Sequence, residues 1–430
     1  MQTGGIRIVA VCLVVLTVLN GTYIAYAQHD TLPPPHATKS SRNFSNVIGW
    51  EGDEAPVAPT GFVVKRFAEG FENPRWLYEL PGGDILVAES NTYHPWYERI
   101  GGWIIGANKS NNLRPSADRI TLLRDADHDG VPELRTTFLD RLNQPFGMLV
   151  LGDWFYVANT DALWRYPYSK GQTRIIGKGQ KILDLPAGKH NRHWTRNIIS
   201  NAAGTRIYIA VGSGSNVAEK GIANEFLRAA ILEVKSDGSA LRVYAAGLRN
   251  PVGMAWNPEA QKETLWTVVN ERDLLGDDLV PDYLTRVQEN GFYGWPYRYH
   301  GTHIDDRVKD ATPAEAEQTI APDIDLDAHS ASLGLTFYTG KAFPERYRNG
   351  AFIAQHGSWN RSTLSGYKVV FVPFNASKPS GPPEDFLTGF IENLSKEKVH
   401  GRPVCIIMQS TGTLLLTDDT SNTLWLIAHP

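Results

Sequence analysis

The sequence predicts an all-β protein, specifically a six-bladed β-propeller. Three observations carry this. From about Pro56 onward Val, Ile, Tyr, Trp and Thr come in short runs between Gly, Asn, Asp and Pro clusters, the texture of strands and turns. Helical signals are few, the best candidate being "PDYLTRVQENG" from Pro281. Finally, one pattern recurs six times: a turn, a short apolar strand, a loop usually holding Gly or Asp, a second apolar strand and a polar end.

The copies begin at Phe71 ("FENPRWLYELPGGDILVAES"), Leu142 ("LNQPFGMLVLGDWFYVANT"), His193 ("HWTRNIISNAAGTRIYIAVGS"), Leu248 ("LRNPVGMAWNPEAQKETLWTVVNE"), Ser330 ("SASLGLTFYTGKAFPERYRNGAFIAQHGS") and Gly401 ("GRPVCIIMQSTGTLLLTDD"). A repeat of about 60 residues exceeds the ~40–50 of a minimal blade, so some blades must carry long loops. Ser90 to Arg119 and Tyr299 to His329 are such loops, and substrate choice is expected to lie there. Stacked blades bury the faces of each small sheet against its neighbours.

In each copy the two strands form a hairpin, so the turn before the first strand and the polar end of the second share one face. Six such pairs place Arg75, His193, Arg196, Arg249, Asn250, Glu271, Asp273, His356, Arg361, Arg402 and Asp418 around one mouth of a central channel. A side chain at such a loop end carries little core packing, so replacing Arg249 should spare the fold.

Residues 1–27 read as a signal peptide: Arg7 for charge, "IVAVCLVVLTVL" for the apolar region and "AYA" ending at Ala27 for cleavage. A periplasmic or secreted location follows as an expectation. So does the absence of stable membrane insertion, since the run is short for a ~20-residue span. Residues 28–55, rich in Pro, His, Ser and Asn, are expected to be a linker or surface arm, and 56–430 the propeller. With 42% hydrophobic and 20% charged residues the chain can bury a core. A net charge of -4 gives no basic excess for a nucleic-acid partner. Cys12 falls in the segment expected to be removed, leaving Cys405 and no internal disulfide. No C-x-x-C-H occurs, which excludes covalent haem.

Two acidic stretches suit a hard cation, which seeks oxygen ligands. "DADHDGVPE" sets Asp125, Asp127 and Asp129 at alternating positions with Gly130 next, the start of an EF-hand-type loop. Its twelfth position is Thr136, so the full motif fails; a nonhelical calcium loop and a polar β-turn both fit, and either is structural. In "NERDLLGDD", Asp277 and Asp278 offer further carboxylates.

The runs "NPRWLYELPGGDILVAES", "HWTRN", "LRNPVGMAW", "NERDLLGDDLVPDYLT", "GFYGWPY", "HGSWNRS" and "GYKVVFVPF" resemble the sorbosone dehydrogenases. More distantly they are similar to the soluble aldose (glucose) dehydrogenases that use pyrroloquinoline quinone (PQQ). The resemblance spans nearly everything after Pro56. It implies PQQ over the channel mouth, a calcium ion on the quinone, and a histidine that takes the proton of a sugar's anomeric hydroxyl while hydride passes to the cofactor. Carried to this chain, it gives Arg249 and Asn250 to the quinone oxygens, Arg249 stabilising developing charge. It makes His193 the general base, with His190 as a rival because the spacing to Arg196 differs. It gives Arg402 to the PQQ carboxylates, Arg75 and Arg196 to cofactor binding beside it, and His356, Asn360 and Arg361 to a region where the family carries a lysine. The backbone carbonyls of Asp273 and Leu274 fall where the catalytic calcium binds. The implied partners are a small sugar or sugar aldehyde and an external electron acceptor, a cytochrome or a quinone. A calcium lactonase-like propeller hydrolase, or a propeller that only binds, are the alternatives; neither calls for an arginine-rich mouth.

Overall fold

A computed structural model describes residues 32–111, 113–259 and 263–430. The signal-peptide reading of residues 1–27 lies outside them. Six sheets follow one another along the chain, each with four antiparallel strands, and in blade three a short fifth strand, Gly291–Phe292, adds in parallel to Arg242–Ala246. Blade one holds Pro74–Glu79, Ile85–Glu89, Arg119–Arg124 and Leu134–Leu139. Blade two holds Met148–Leu151, Trp154–Ala158, Ala162–Pro167 and Gln180–Asp184. Blade three holds Ile198–Ser200, Arg206–Val211, Ala230–Lys235 and Arg242–Ala246. Blade four holds Pro251–Trp256, Leu265–Val269, Pro281–Arg286 and Ile324–Ala328. Blade five holds Ser332–Phe337, Ala351–Gln355, Lys368–Val372 and Glu384–Leu387.

Blade six closes the ring. Its first three strands are Pro403–Met408, Leu414–Asp418 and Thr423–Ala428. Its outer strand is Val63–Glu69, from the other end of the propeller, paired antiparallel with Thr423–Ala428. The first strands of successive blades touch all the way round, and blade six meets blade one. Glycines permit that approach. A Cβ on Gly253 would lie 2.6 Å from Leu333 O and 2.7 Å from Leu335 N in the next blade. On Gly334 it would lie 2.6 Å from Val404 O.

Second strands such as Ile85–Glu89, Leu265–Val269 and Leu414–Asp418 are buried along their whole length. They are covered on both faces, which is why they read as unbroken apolar runs rather than alternating ones. The wedges between blades are filled by aromatics: Trp266, Phe337 and Phe374 between blades four and five, and Tyr208 and Trp256 between blades three and four.

One expected element is corrected. Pro281–Arg286 is the third strand of blade four, not a helix. Tyr283 and Leu284 are buried in different inter-blade clusters, which needs side chains pointing to opposite faces. The one α-helix among the described residues is α1, Trp96–Ile104, within the long loop of blade one.

The segment expected as a linker or arm runs along the site face. His36 N donates to Leu275 O (2.7 Å) and Asn43 N to Trp359 O (2.8 Å). Gly276 N donates to Ser40 Oγ (3.1 Å), and Trp50 Nε1 to Asp418 Oδ2 (2.9 Å). The arm thereby links loops of blades four, five and six.

Candidate active site

The face that receives the first-strand turns also receives the second-to-third-strand loops, because strands alternate in direction. At blades three and four this brings together His193, Arg249 and Asp273, with Arg192 and His329 beside them. His193 Nδ1 lies 2.9 Å from Ser213 O and 3.0 Å from Ser213 Oγ. A carbonyl only accepts, so Nδ1 carries the proton and Nε2 keeps its lone pair. Burial, then the charges of Arg249 and Arg192, hold the imidazole pKa well below its ordinary value. His193 is therefore neutral near pH 7 while its residue remains partly accessible. No comparable anchoring distinguishes His190.

Arg249 is sunk, not presented. It is 1% exposed. Its Nε donates to Asn216 O (3.3 Å), Nη1 to Asn270 O (3.1 Å) and Glu271 O (2.5 Å), and Nη2 to Asn216 Oδ1 (2.9 Å) and Asp273 Oδ2 (3.0 Å). The guanidinium's donors are committed to protein acceptors, so the expectation of a loop-end arginine with little packing is corrected. Asp273 also faces Arg192 at 3.4 Å and His329 Nδ1 at 3.6 Å. Burial would raise its pKa, but Arg249, His329 and Arg192 outweigh that and hold it well below the usual carboxylate range.

Neither His329 nor Arg192 was singled out from the sequence. His329 sits at φ 60° with Nε2 2.8 Å from Gly276 O. Arg192 is the more open cation, its side chain 43% exposed and 5.6 Å from the centre of the Trp359 ring. Asn250 adjoins His193, since a Cβ on Gly212 would overlap both. Its Oδ1 is buried without a hydrogen-bond partner.

Arg196 is fully buried and donates to the carbonyls of His193 (2.8 Å), Thr195 (2.8 Å) and Pro186 (2.6 Å). It shapes the loop that carries His193 rather than facing the mouth. Glu271 likewise pairs inward, with Arg272 (2.9 Å).

Blades one, five and six supply a second cluster. Arg75 pairs with Asp419 and lies 5.7 Å from the centre of the Trp194 ring. His356 Nε2 meets the other oxygen of Asp419 at 2.9 Å. Burial, then Arg402, lower the His356 pKa to about 4. Arg402 donates to His356 O (2.9 Å) and Gly357 O (2.7 Å), while its backbone N–H donates to Asp418 Oδ1 (2.7 Å). Arg361 pairs with Asp278 at 2.6 Å. With its amide oriented to suit its neighbours, Asn360 joins Leu274 N (3.1 Å) to Ser41 O (3.3 Å) of the arm.

The expected calcium ligands of the blade-four loop do not fit an ion. Asp273 O accepts from Arg307 Nη1 (2.7 Å) and Asn216 Nδ2 (3.1 Å), so a guanidinium already stands against that carbonyl. Leu274 turns through φ 73° with its side chain exposed. Asp277 accepts from Ser362 N (3.0 Å) and Ser362 Oγ, and Asp278 holds Arg361. These acids stitch blade four to blade five and the arm.

The other acidic loop does converge. Ligand atoms of Asp125, Asp127, Asp129 and Glu133 lie within 4.8 Å of one another. Glu133 stands at the ninth position of the loop, where the EF-hand pattern fixes no residue type, so the motif does not mark it. The loop joins the third and fourth strands of blade one, on the face opposite His193.

Together these features define a six-bladed propeller whose channel mouth carries a neutral histidine backed by a buried arginine–aspartate cluster. The chain belongs to the family described as "Domain of unknown function (DUF7133)", whose model matches residues 64–358. A second model, described as TrAA12-like, matches residues 298–430. An uncharacterized protein of Borreliella burgdorferi is 28% identical over 383 residues, covering 86% of this chain and 90% of that one. The fold is shared with the calcium structure of Trichoderma reesei Carbohydrate-Active Enzymes Family AA12 (TM-score 0.70, 18% identity, 90% of this chain and 99% of that one). It is equally shared with the holo form of the pyranose dehydrogenase PQQ domain from Coprinopsis cinerea (TM-score 0.68, 19% identity, 89% and 100%). Soluble aldose sugar dehydrogenases have this fold too.

Proposed function

We propose that this protein is an exported quinoprotein oxidoreductase that oxidises an aldose or sugar aldehyde. The observation that carries the reading is His193: Nδ1 anchored on Ser213, Nε2 holding a lone pair, and a depressed pKa that keeps the ring neutral. That is the state a general base needs before it takes a hydroxyl proton. When bound, PQQ would supply the two-electron hydride acceptor. The mouth suits a planar, carboxylate-bearing group: Arg192 is open and Arg75 stands at the rim as donors to its carboxylates, and the unpaired buried Oδ1 of Asn250 would accept from an N–H of the group rather than hold its oxygens. These three would hold it.

The other residues act through their neighbours. Arg249 fixes Asp273 and adds positive charge beside His193, so it tunes the base rather than touching the reacting atoms. Asn216 braces both, accepting from Arg249 Nη2 and from Asp273 N (2.9 Å each). After the sugar's hydroxyl proton reaches His193 Nε2, two electrons must leave to an external acceptor, a cytochrome or a quinone, as the sequence holds no haem-attachment motif. We place calcium at Asp125–Glu133, where it would brace blade one, and derive no catalytic step from it.

The test is reconstitution. Protein titrated with PQQ should develop a bound-cofactor absorbance and oxidise sugars with an artificial acceptor. His193→Ala should retain the absorbance and lose ~100- to 10,000-fold in turnover, the scale of losing a general base. No absorbance change at saturating PQQ would defeat the cofactor. Full turnover by His193→Ala would defeat the base, and a dead His190→Ala beside it would move the base upstream.

A further inference from the structure

We propose that α1 forms an apolar ridge that adsorbs to a lipid surface bearing anionic headgroups. At about 100° per residue, Trp103, Trp96, Ile100, Ile104 and Tyr97 fall within roughly 120° of the helix circumference. In an ordinary surface helix that stripe faces the core. Here it is inverted. None of the helix residues is buried, and the five are between 55% and 74% exposed. The side turned toward the protein is glycine: a Cβ on Gly102 would lie 3.0 Å from Leu113 Cδ1. Tyr93 and Ile105, also exposed, extend the ridge at both ends. Water is a poor solvent for so much contiguous apolar surface, and in soluble chains such a patch marks a contact site.

The chemistry selects a lipid surface over a protein groove. Trp and Tyr with Ile is the side-chain mixture that settles at a membrane interface. The ridge projects on a long loop instead of forming a pocket. Charge agrees: from Tyr93 to Arg114 the exposed cations are Arg99, Lys109 and Arg114, against Glu98, which faces His94 at 3.6 Å. The chain as a whole carries -4, so this tip is locally inverted in sign and would be drawn to anionic lipid. Nine residues are far too few to span a bilayer, so the contact is interfacial. The loop is rooted at Thr92, whose Oγ1 accepts from Trp194 Nε1 at 2.8 Å, so adsorption would hold the site face toward the surface.

The inference does not depend on the redox reading. The chain from Gln28 onward, which keeps every described residue, is sedimented with phosphatidylcholine vesicles with and without phosphatidylglycerol. Wild type should pellet with the anionic vesicles and less with the neutral ones. Trp96→Ser with Trp103→Ser and Ile104→Ser should weaken partitioning at least about tenfold and leave the melting temperature unchanged. Arg99→Glu with Lys109→Glu should abolish the preference for anionic lipid. Wild type left in the supernatant with both vesicles overturns the proposal, as does equal pelleting of the triple variant. So does a dimer in solution dispersed by the triple variant, since a second copy would then cover the ridge. A lower melting temperature for the triple variant also overturns it, because the ridge would then be packing within the fold.

Discussion

Arg249→Ala should destabilise the protein by about 3 kcal/mol, although the residue stands at the entry of a blade. The substitution removes a guanidinium that is 1% exposed and leaves Asp273 a buried carboxylate missing its nearest charge partner. Breaking a buried pair from one side costs roughly 3–5 kcal/mol. The low end applies because Arg192 and His329 still face Asp273, at 3.4 and 3.6 Å. Two of the abandoned acceptors also keep another donor: Asn216 O has Trp295 Nε1 (2.9 Å) and Asn216 Oδ1 has Asp273 N (2.9 Å). Urea denaturation at constant pH reads the difference. The same variant should raise the pKa of His193, because Arg249 is the leading charge that depresses it, and move the acid limb of any pH–rate profile upward. A urea midpoint equal to wild type would refute the claim that this arginine is held by the fold, and would return it to the role of a free donor at the mouth.

Three further outcomes are expected. Chelation should lower the melting temperature without lowering activity per folded molecule, since an ion bound only by the folded state adds ~2.7 kcal/mol at a hundred times its Kd; Glu133→Gln should blunt that response, and activity lost to chelation at unchanged stability would place the ion at the mouth instead. His356, whose pKa falls from near 6.5 to about 4 on folding, takes its proton first in the unfolded chain. Its contribution is therefore present above about pH 6.5 and lost as pH falls toward about 4, by up to about 3 kcal/mol; urea midpoints near pH 7 and pH 5 should fall further apart in wild type than in His356→Gln, and equal gaps would refute it. Gly253→Ala should cost about 1–3 kcal/mol, as its Cβ would meet backbone at 2.6 and 2.7 Å, and thermal melts of wild-type stability would show that the blades can part.

The propeller was legible because its repeat lies in short-range features. A turn (Asn-Pro in the first and fourth copies, "HWTRN" in the third), an apolar run and a polar end survive in each copy, and their order alone sets the face each end occupies. The closing strand Val63–Glu69 was not legible: its partner Thr423–Ala428 is some 350 positions away, and "VVKRFAE" places apolar and charged residues in pairs, without the alternation that marks a strand. Pro281–Arg286 was misread because Tyr283 and Leu284 are both buried, erasing the alternation that separates strand from helix. The inverted helix α1 carries a regular amphipathic stripe in sequence, and nothing in that stripe tells which way it faces.

The site divides in the same manner. Residue types at the mouth could be named from the turns, but what each does is decided by partners the sequence does not mark. Half of the acceptors that hold Arg249 are backbone carbonyls, which any residue supplies, and Asp273 O is filled by Arg307, delivered by the long connection between the third and fourth strands of blade four. The consequence is electrostatic. Arg249 and Arg192 converge on one carboxylate next to an imidazole whose pKa burial and these two charges depress. Asp273 offsets their charge enough for the cluster to be buried, yet not enough to let His193 protonate near pH 7. If His193 is the base proposed above, the balance holds while the aspartate remains ionised, and the depressed pKa of Asp273 secures that far below the pH at which a histidine titrates in water.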